Sequence, residues 1–177
     1  MTEARRRLAA TGVGVLLAAG LAAGLLATGG QSGTFAAPFF SLPRLGGGPD
    51  VRVPVVRNGS GAPVVVTFFA SWCGPCYSEL PRIAQVAGQL ASSGSPVVFV
   101  GVDGNDLDSS GLAFARRAAV AFAVGADHSS AVAPRYGLQG YPATVFIDRH
   151  GTVVHVVRGP VSTGSLRTWA TRIAGAA

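Results

Sequence analysis

The run Val64-Val65-Val66-Thr67-Phe68-Phe69-Ala70 constrains the fold more than any other stretch of the chain. It is apolar except for Thr67 and rich in β-branched residues. Such a run reads as a strand buried on both faces, which requires a covering layer on each side of a sheet. Trp72-Cys73-Gly74-Pro75-Cys76 follows at once, and Leu80, Ile83, Ala84, Ala87 and Leu90 then recur at helical spacing. A helix is therefore predicted from about Cys73 to Ser93, ended by Gly94-Ser95-Pro96.

The pattern repeats downstream. Val97 to Val102 predicts a second buried strand that ends at Asp103-Gly104-Asn105-Asp106, Leu112 to Val120 a helix, and Ala121 to Gly125 a short strand. Strand, helix and strand in succession imply a parallel sheet core. Ser129 to Tyr136 reads as a short helix with Gly137 in a left-handed cap. Ala143 to Ile147 and Thr152 to Arg158 form a predicted hairpin about Asp148-Arg149-His150-Gly151. Ser162 to Ile173 closes the chain as a helix with Leu166, Trp169, Ala170 and Ile173 on one face. Upstream, Ala37 to Leu45 is an extended lead-in. Val51 to Val56, which carries Pro54, is an edge strand closed by a turn at Asn58-Gly59-Ser60-Gly61.

A mean hydropathy of +0.42 is high for a soluble domain, and the excess is concentrated at one end. Leu8 to Gly30 carries no ionisable side chain and follows Arg5-Arg6-Arg7. Its length favours a membrane anchor of roughly 20 apolar residues over a cleaved signal peptide, whose core is about 7–15. Gly12, Gly14, Gly20 and Gly24 weaken it as a helix, and Thr34-Phe35-Ala36 offers a poor cleavage site. Both readings place the remainder outside the cytoplasm, because the arginines stay inside. The expected organisation is a cytoplasmic basic segment (1–7), an anchor or signal peptide (8–30), a linker (31–35) and one domain (36–177). The formal charge of +6 falls once Arg5 to Arg7 leave with Glu3, and the remaining charges are scattered. Nucleic-acid binding is not supported.

Cys73 and Cys76 are the only cysteines. A loop this small gains little as a structural cross-link, so a redox role suits the spacing better. Placed at a helix N-terminus, Cys73 meets unpaired N–H groups that favour its thiolate. Cys73 is accordingly expected to be the exposed nucleophile, and Cys76, one turn on and facing inward, to resolve the mixed disulfide. Pro75 suits a first helical turn because its missing N–H has no helical partner there. A zinc site would need a second cysteine pair, and His128, His150 and His155 lack ligand spacing, so no metal is expected. Peroxidase chemistry at Cys73 is a further option, but a vicinal partner favours disulfide exchange.

The run from Val64 to Cys76, followed by Glu79 and Pro81, resembles the TlpA/ResA branch of the thioredoxin superfamily, membrane-anchored disulfide reductases. Ala37-Pro38-Phe39-Phe40-Ser41-Leu42 is similar to the lead-in of that family. Gly140-Tyr141-Pro142-Ala143-Thr144 is similar to its cis-proline loop, and Val145-Phe146-Ile147-Asp148 with Gly151 to its hairpin. The resemblance implies an α/β thioredoxin fold, with a central mixed sheet flanked by helices and an added helix and strand, preceded by one N-terminal transmembrane helix. It also implies that Pro142 is cis and faces the disulfide, that the Tyr141 main chain pairs with substrate, and that Trp72 shields the site. Pro81 would kink the helix. Glu79 would tune the thiols and take protons, against the alternative of a solvated carboxylate. Thr67 stands where classical thioredoxins carry a buried acid, so removal of the Cys76 proton would fall to Glu79, water or substrate.

The expected cofactor set is empty apart from the redox-active disulfide itself. The favoured activity is exchange with cysteine pairs of exported proteins, as a reductase, with apocytochrome c among the substrates and a membrane thiol-reductase partner supplying electrons. A disulfide-forming oxidase and a thiol-based metal chaperone are the alternatives.

Overall fold

A computed structural model describes residues 33–57 and 60–175. The expected anchor at 8–30 lies outside the described residues. Among those described, no helix is long and apolar enough to cross a membrane.

In chain order the strands and helices are β1 (Phe35–Ala36), β2 (Phe40–Leu42), β3 (Val51–Val53), β4 (Val56–Arg57), β5 (Ser60–Gly61), β6 (Val64–Phe69) and α1 (Cys76–Ser92). There follow β7 (Val98–Gly104), α2 (Asp108–Arg117), β8 (Ala123–Asp127), α3 (Val132–Arg135), β9 (Ala143–Ile147), β10 (Thr152–Arg158) and α4 (Thr163–Gly175). Six of the strands build one mixed sheet in the order β1-β10-β9-β6-β7-β8. The β6, β7 and β8 strands run parallel, whereas β9 and β10 return antiparallel as the predicted hairpin. The result is a thioredoxin-like α/β sheet, and the segment between Asp103 and Pro142 supplies α2, β8 and α3.

The apolar run at β6 is central because every one of its residues is buried. Val64, Val66 and Phe68 point to the face covered by Tyr136 and by the β2–β3 ribbon, with Phe40, Val51 and Val53 in the same cluster. Val65 points the other way, toward Ile83 and Val86 of α1 and Leu166 and Ile173 of α4. Phe69 joins Leu80 and Phe114 on that second face, which brings α2 beside α1. Each buried side chain of this size contributes about 1.5–3 kcal/mol of gross burial free energy, so both faces of β6 anchor the domain.

Several boundaries move for reasons of pairing. Strand β7 continues through Asp103 and Gly104, since these pair with Ala126 and Asp127 of β8. It stops where Asn105 takes φ 51°. Helix α2 starts at Asp108 and ends by Ala118, with Ala119 at φ 55° and the Val120 N–H returned to the Ala115 carbonyl. Helix α3 shortens to one turn because the Asp127 carboxylate accepts the Ala131 and Val132 N–H groups. Gly137 does close it at φ 67°. The predicted edge strand at 51–56 breaks after Val53, where a cis Val53–Pro54 peptide intervenes.

Candidate active site

Strand β6 delivers the chain to the cysteines through a tight turn. The Cys73 N–H donates to the Ala70 carbonyl at 3.2 Å, the Cys76 N–H to the Cys73 carbonyl at 3.1 Å, and the Tyr77 N–H to the Gly74 carbonyl at 3.2 Å. Cys73 and Cys76 are joined as a disulfide, with Cα atoms 5.3 Å apart. Helix α1 begins only at Cys76, with Pro75 as its N-cap, so Cys73 stands just ahead of the helix and not on its first turn. Pro81 lies inside α1 as expected.

The expectation of an exposed Cys73 is corrected. In the disulfide form Cys73 is 4% exposed and Cys76 is fully buried. Both cysteines sit in an apolar cluster with Phe69, Ala70, Leu80 and Phe114 of α2. The asymmetry survives in direction only. Trp72, at 59% exposure, meets solvent beside them, as do Gly74, Pro75 and Tyr77. Its indole N–H donates to the Asn105 carbonyl at 2.9 Å, and its ring lies 5.7 Å from that of Tyr141.

That ring contact ties the cysteine turn to the loop before β9. The Tyr141–Pro142 peptide is cis, as the resemblance implied, and Pro142 is buried. The Tyr141 hydroxyl lies 3.1 Å from Ser130 Oγ. Burial chiefly pushes the Tyr141 phenol up. The structure thus brings Trp72, Cys73, Cys76, Tyr141 and Pro142 together.

Glu79 is placed differently from a solvated carboxylate. It is 1% exposed, and its Oε1 accepts the Val161 N–H at 2.5 Å. Burial raises its pKa, against the lowering effects of that hydrogen bond and of Arg82. Thr67 is also buried, and its hydroxyl has no hydrogen-bond partner. It stands opposite Thr144 on β9, whose hydroxyl is equally unpartnered.

Residues that sequence reasoning left as a strand-ending turn also reach this site. The Asp106 carboxylate accepts the Ser71 N–H at 2.6 Å, and the Tyr77 hydroxyl donates to the Ser71 carbonyl at 2.8 Å. No spacing rule links these positions, so nothing in the sequence marked them.

A thioredoxin-like sheet that holds a vicinal disulfide beside a cis-proline loop is the apparatus of a thiol–disulfide oxidoreductase, in which the disulfide itself is the redox group. Residues 35–156 match the AhpC/TSA family, and the chain belongs to that family. Its relatives include the thiol-disulfide oxidoreductase ResA of Oceanobacillus iheyensis, 27% identical over 139 residues that make up 78% of this chain and 71% of that one. Among solved structures, MTB DsbF in mixed oxidised and reduced forms superposes with a TM-score of 0.66 at 34% identity, covering 76% of this chain and 94% of that one. A secreted Mycobacterium tuberculosis disulfide oxidoreductase homologous to E. coli DsbE superposes with a TM-score of 0.59 at 27% identity, over 76% and 94% of the two chains.

Proposed function

We propose that the chain is an extracytoplasmic reductase of disulfides in exported proteins, with the cysteine pair of apocytochrome c as one substrate, anchored by residues 8–30 and recharged by a membrane dithiol donor. The observation that carries this reading is the Cys73–Cys76 disulfide, flanked by the exposed Trp72 and by Tyr141 of the cis-proline loop. The names of its ResA-type and DsbE-type relatives support the chemistry, and one of the similar structures belongs to a secreted protein. The uncharged run behind Arg5-Arg6-Arg7 supports the location.

In the reduced form, the Cys73 thiolate attacks one sulfur of a substrate disulfide. A mixed disulfide forms, and the other substrate sulfur leaves and takes up a proton. Cys76, once deprotonated, attacks Cys73 Sγ, which restores the Cys73–Cys76 bond and releases the second substrate thiol. The substrate gains two electrons and two protons, and an external dithiol must return them to the chain. The main chain at Tyr141 is the edge on which an extended substrate segment would pair. Glu79 lies one turn along α1 from Cys76 and is the buried carboxyl we assign to accept its proton, since Thr67 has no basic group.

The test is trapping in the native membrane with the full chain carrying Cys76→Ser. Mixed disulfides between Cys73 and exported proteins, cytochrome c precursors among them, are the expected product. Accumulation of oxidised substrate proteins in cells that lack the chain marks the reductase direction, and accumulation of reduced ones would overturn it in favour of an oxidase. Copper or zinc retained through purification, with no turnover of a disulfide substrate, would overturn exchange altogether.

A further inference from the structure

The connection between β7 and α2 grips the turn that carries the cysteines. The Asp106 carboxylate accepts the Ser71 N–H at 2.6 Å through Oδ2 and the Leu107 N–H at 2.9 Å through Oδ1. The Asn105 carbonyl accepts the Trp72 indole N–H. Ser71 and Trp72 are the two residues before Cys73. This connection therefore holds the approach to the nucleophile at two points.

Behind Asp106 stands a second carboxyl. Asp103 is 2% exposed and its Oδ1 has no hydrogen-bond partner, and burial together with the neighbouring Asp106 holds its carboxyl toward the protonated form. Its Oδ2 lies so close to Gly111 of α2 that a Cβ there would be 1.8 Å away. A glycine inside a helix disfavours the helix, and here its missing side chain is the room the carboxyl occupies. Asp103 also pairs with Phe69 across β6 and β7, so its side chain faces the same side of the sheet as the cysteine cluster.

We propose that Asp103 and Asp106 are positioning residues for disulfide exchange: the buried Asp103 carboxyl backs Asp106, and Asp106 fixes the Ser71–Trp72 turn that presents Cys73. The inference rests on the exchange reading above. The titratable groups around the pair are Asp108 at the start of α2, Tyr141 of the cis-proline loop and Asp127 at the end of β8, which faces Tyr141. The carboxylates among them hold the proton on Asp103, and His128 lies against the Asp108 carboxylate at 2.6 Å. Burial first, then the Asp106 charge, raises Asp103 to about 7. Loss of the proton leaves two adjacent carboxylates that repel, and the hold on Ser71 loosens.

The experiment follows alkylation of Cys73 by iodoacetamide from about pH 5 to about pH 9 in the reduced full chain, with Cys76→Ser in every variant so that a single thiol reacts. The background protein is expected to show a second inflection near neutrality besides that of the thiol, and Asp103→Asn is expected to lack it. Asp106→Ala is expected to slow alkylation at neutral pH by about tenfold, and Asp106→Asn, which keeps a carbonyl for the Ser71 N–H, to recover most of that loss. An unchanged profile in a folded Asp106→Ala, or a neutral inflection that persists in Asp103→Asn, overturns the proposal. If Asp106→Ala does not fold, the near-isosteric Asp103→Asn decides by its profile alone. Alkylation needs no disulfide substrate, so a chain that alkylates as expected but reduces nothing refutes exchange and leaves the positioning intact.

Discussion

Replacing Gly111 by Ala sets two well-measured effects against each other. In an exposed helix interior the change would stabilise by about 1 kcal/mol through helix propensity. At Gly111 the new methyl would lie 1.8 Å from Asp103 Oδ2, 2.7 Å from its Cγ and 3.2 Å from Leu45 Cδ1. The carboxyl has little freedom to retreat, because Asp103 is 2% exposed and Asp106 stands beside it. Overpacking of this kind costs about 1–3 kcal/mol, and a displaced buried carboxyl left unsatisfied costs about 1–3 more. A net loss of about 2 kcal/mol or more is expected, read as a lower urea midpoint at unchanged slope. The decisive comparison is the same substitution in an Asp103→Ala background, where the clash is gone and Gly111→Ala should be neutral or stabilising. Equal destabilisation in both backgrounds, or a more stable Gly111→Ala, would refute the claim that the carboxyl fills this space.

Two further outcomes follow from the buried polar groups. Thr67→Val should raise stability by about 1 kcal/mol in urea denaturation, because the hydroxyl it removes is buried and unpartnered. A loss of that size would mean that the hydroxyl is satisfied in solution. Glu79 has a folded-state pKa raised above 4.5, so the stability it contributes is fully present below that value and is lost as pH rises through the folded pKa. The wild-type advantage over Glu79→Gln should therefore shrink from about pH 4 upward in denaturant midpoints, and an advantage that grows with pH would contradict the burial effect.

What the sequence made legible was local. Strand β6 followed from its apolar run, the β9–β10 hairpin from two strand-like runs joined by the turn at Asp148 to Gly151, and α4 from the spacing of Leu166, Ala170 and Ile173. The cysteine pair was legible because its spacing is itself the chemistry. Burial of Cys73 was not legible because it sits in an apolar cluster with residues far along the chain, Phe114 of α2 among them. Burial of Glu79 depends on Val161, 82 residues away, and the hold on Ser71 depends on Asp106, 35 residues away. Such contacts are set by how α1, α4 and the β7–α2 connection pack on the sheet, and no periodicity records that. The same holds for β8, whose limits shift because Asp103 and Gly104 find partners in it.

The proposed exchange turns on an attacking Cys73 and a resolving Cys76. Intact mass after mixing each reduced single-cysteine variant with an excess of a peptide dimer joined by one disulfide tests it most directly. Cys76→Ser is expected to gain the mass of one peptide chain rapidly at neutral pH, while Cys73→Ser remains largely unmodified over the same time. Equal capture by both variants, or faster capture by Cys73→Ser, would contradict it.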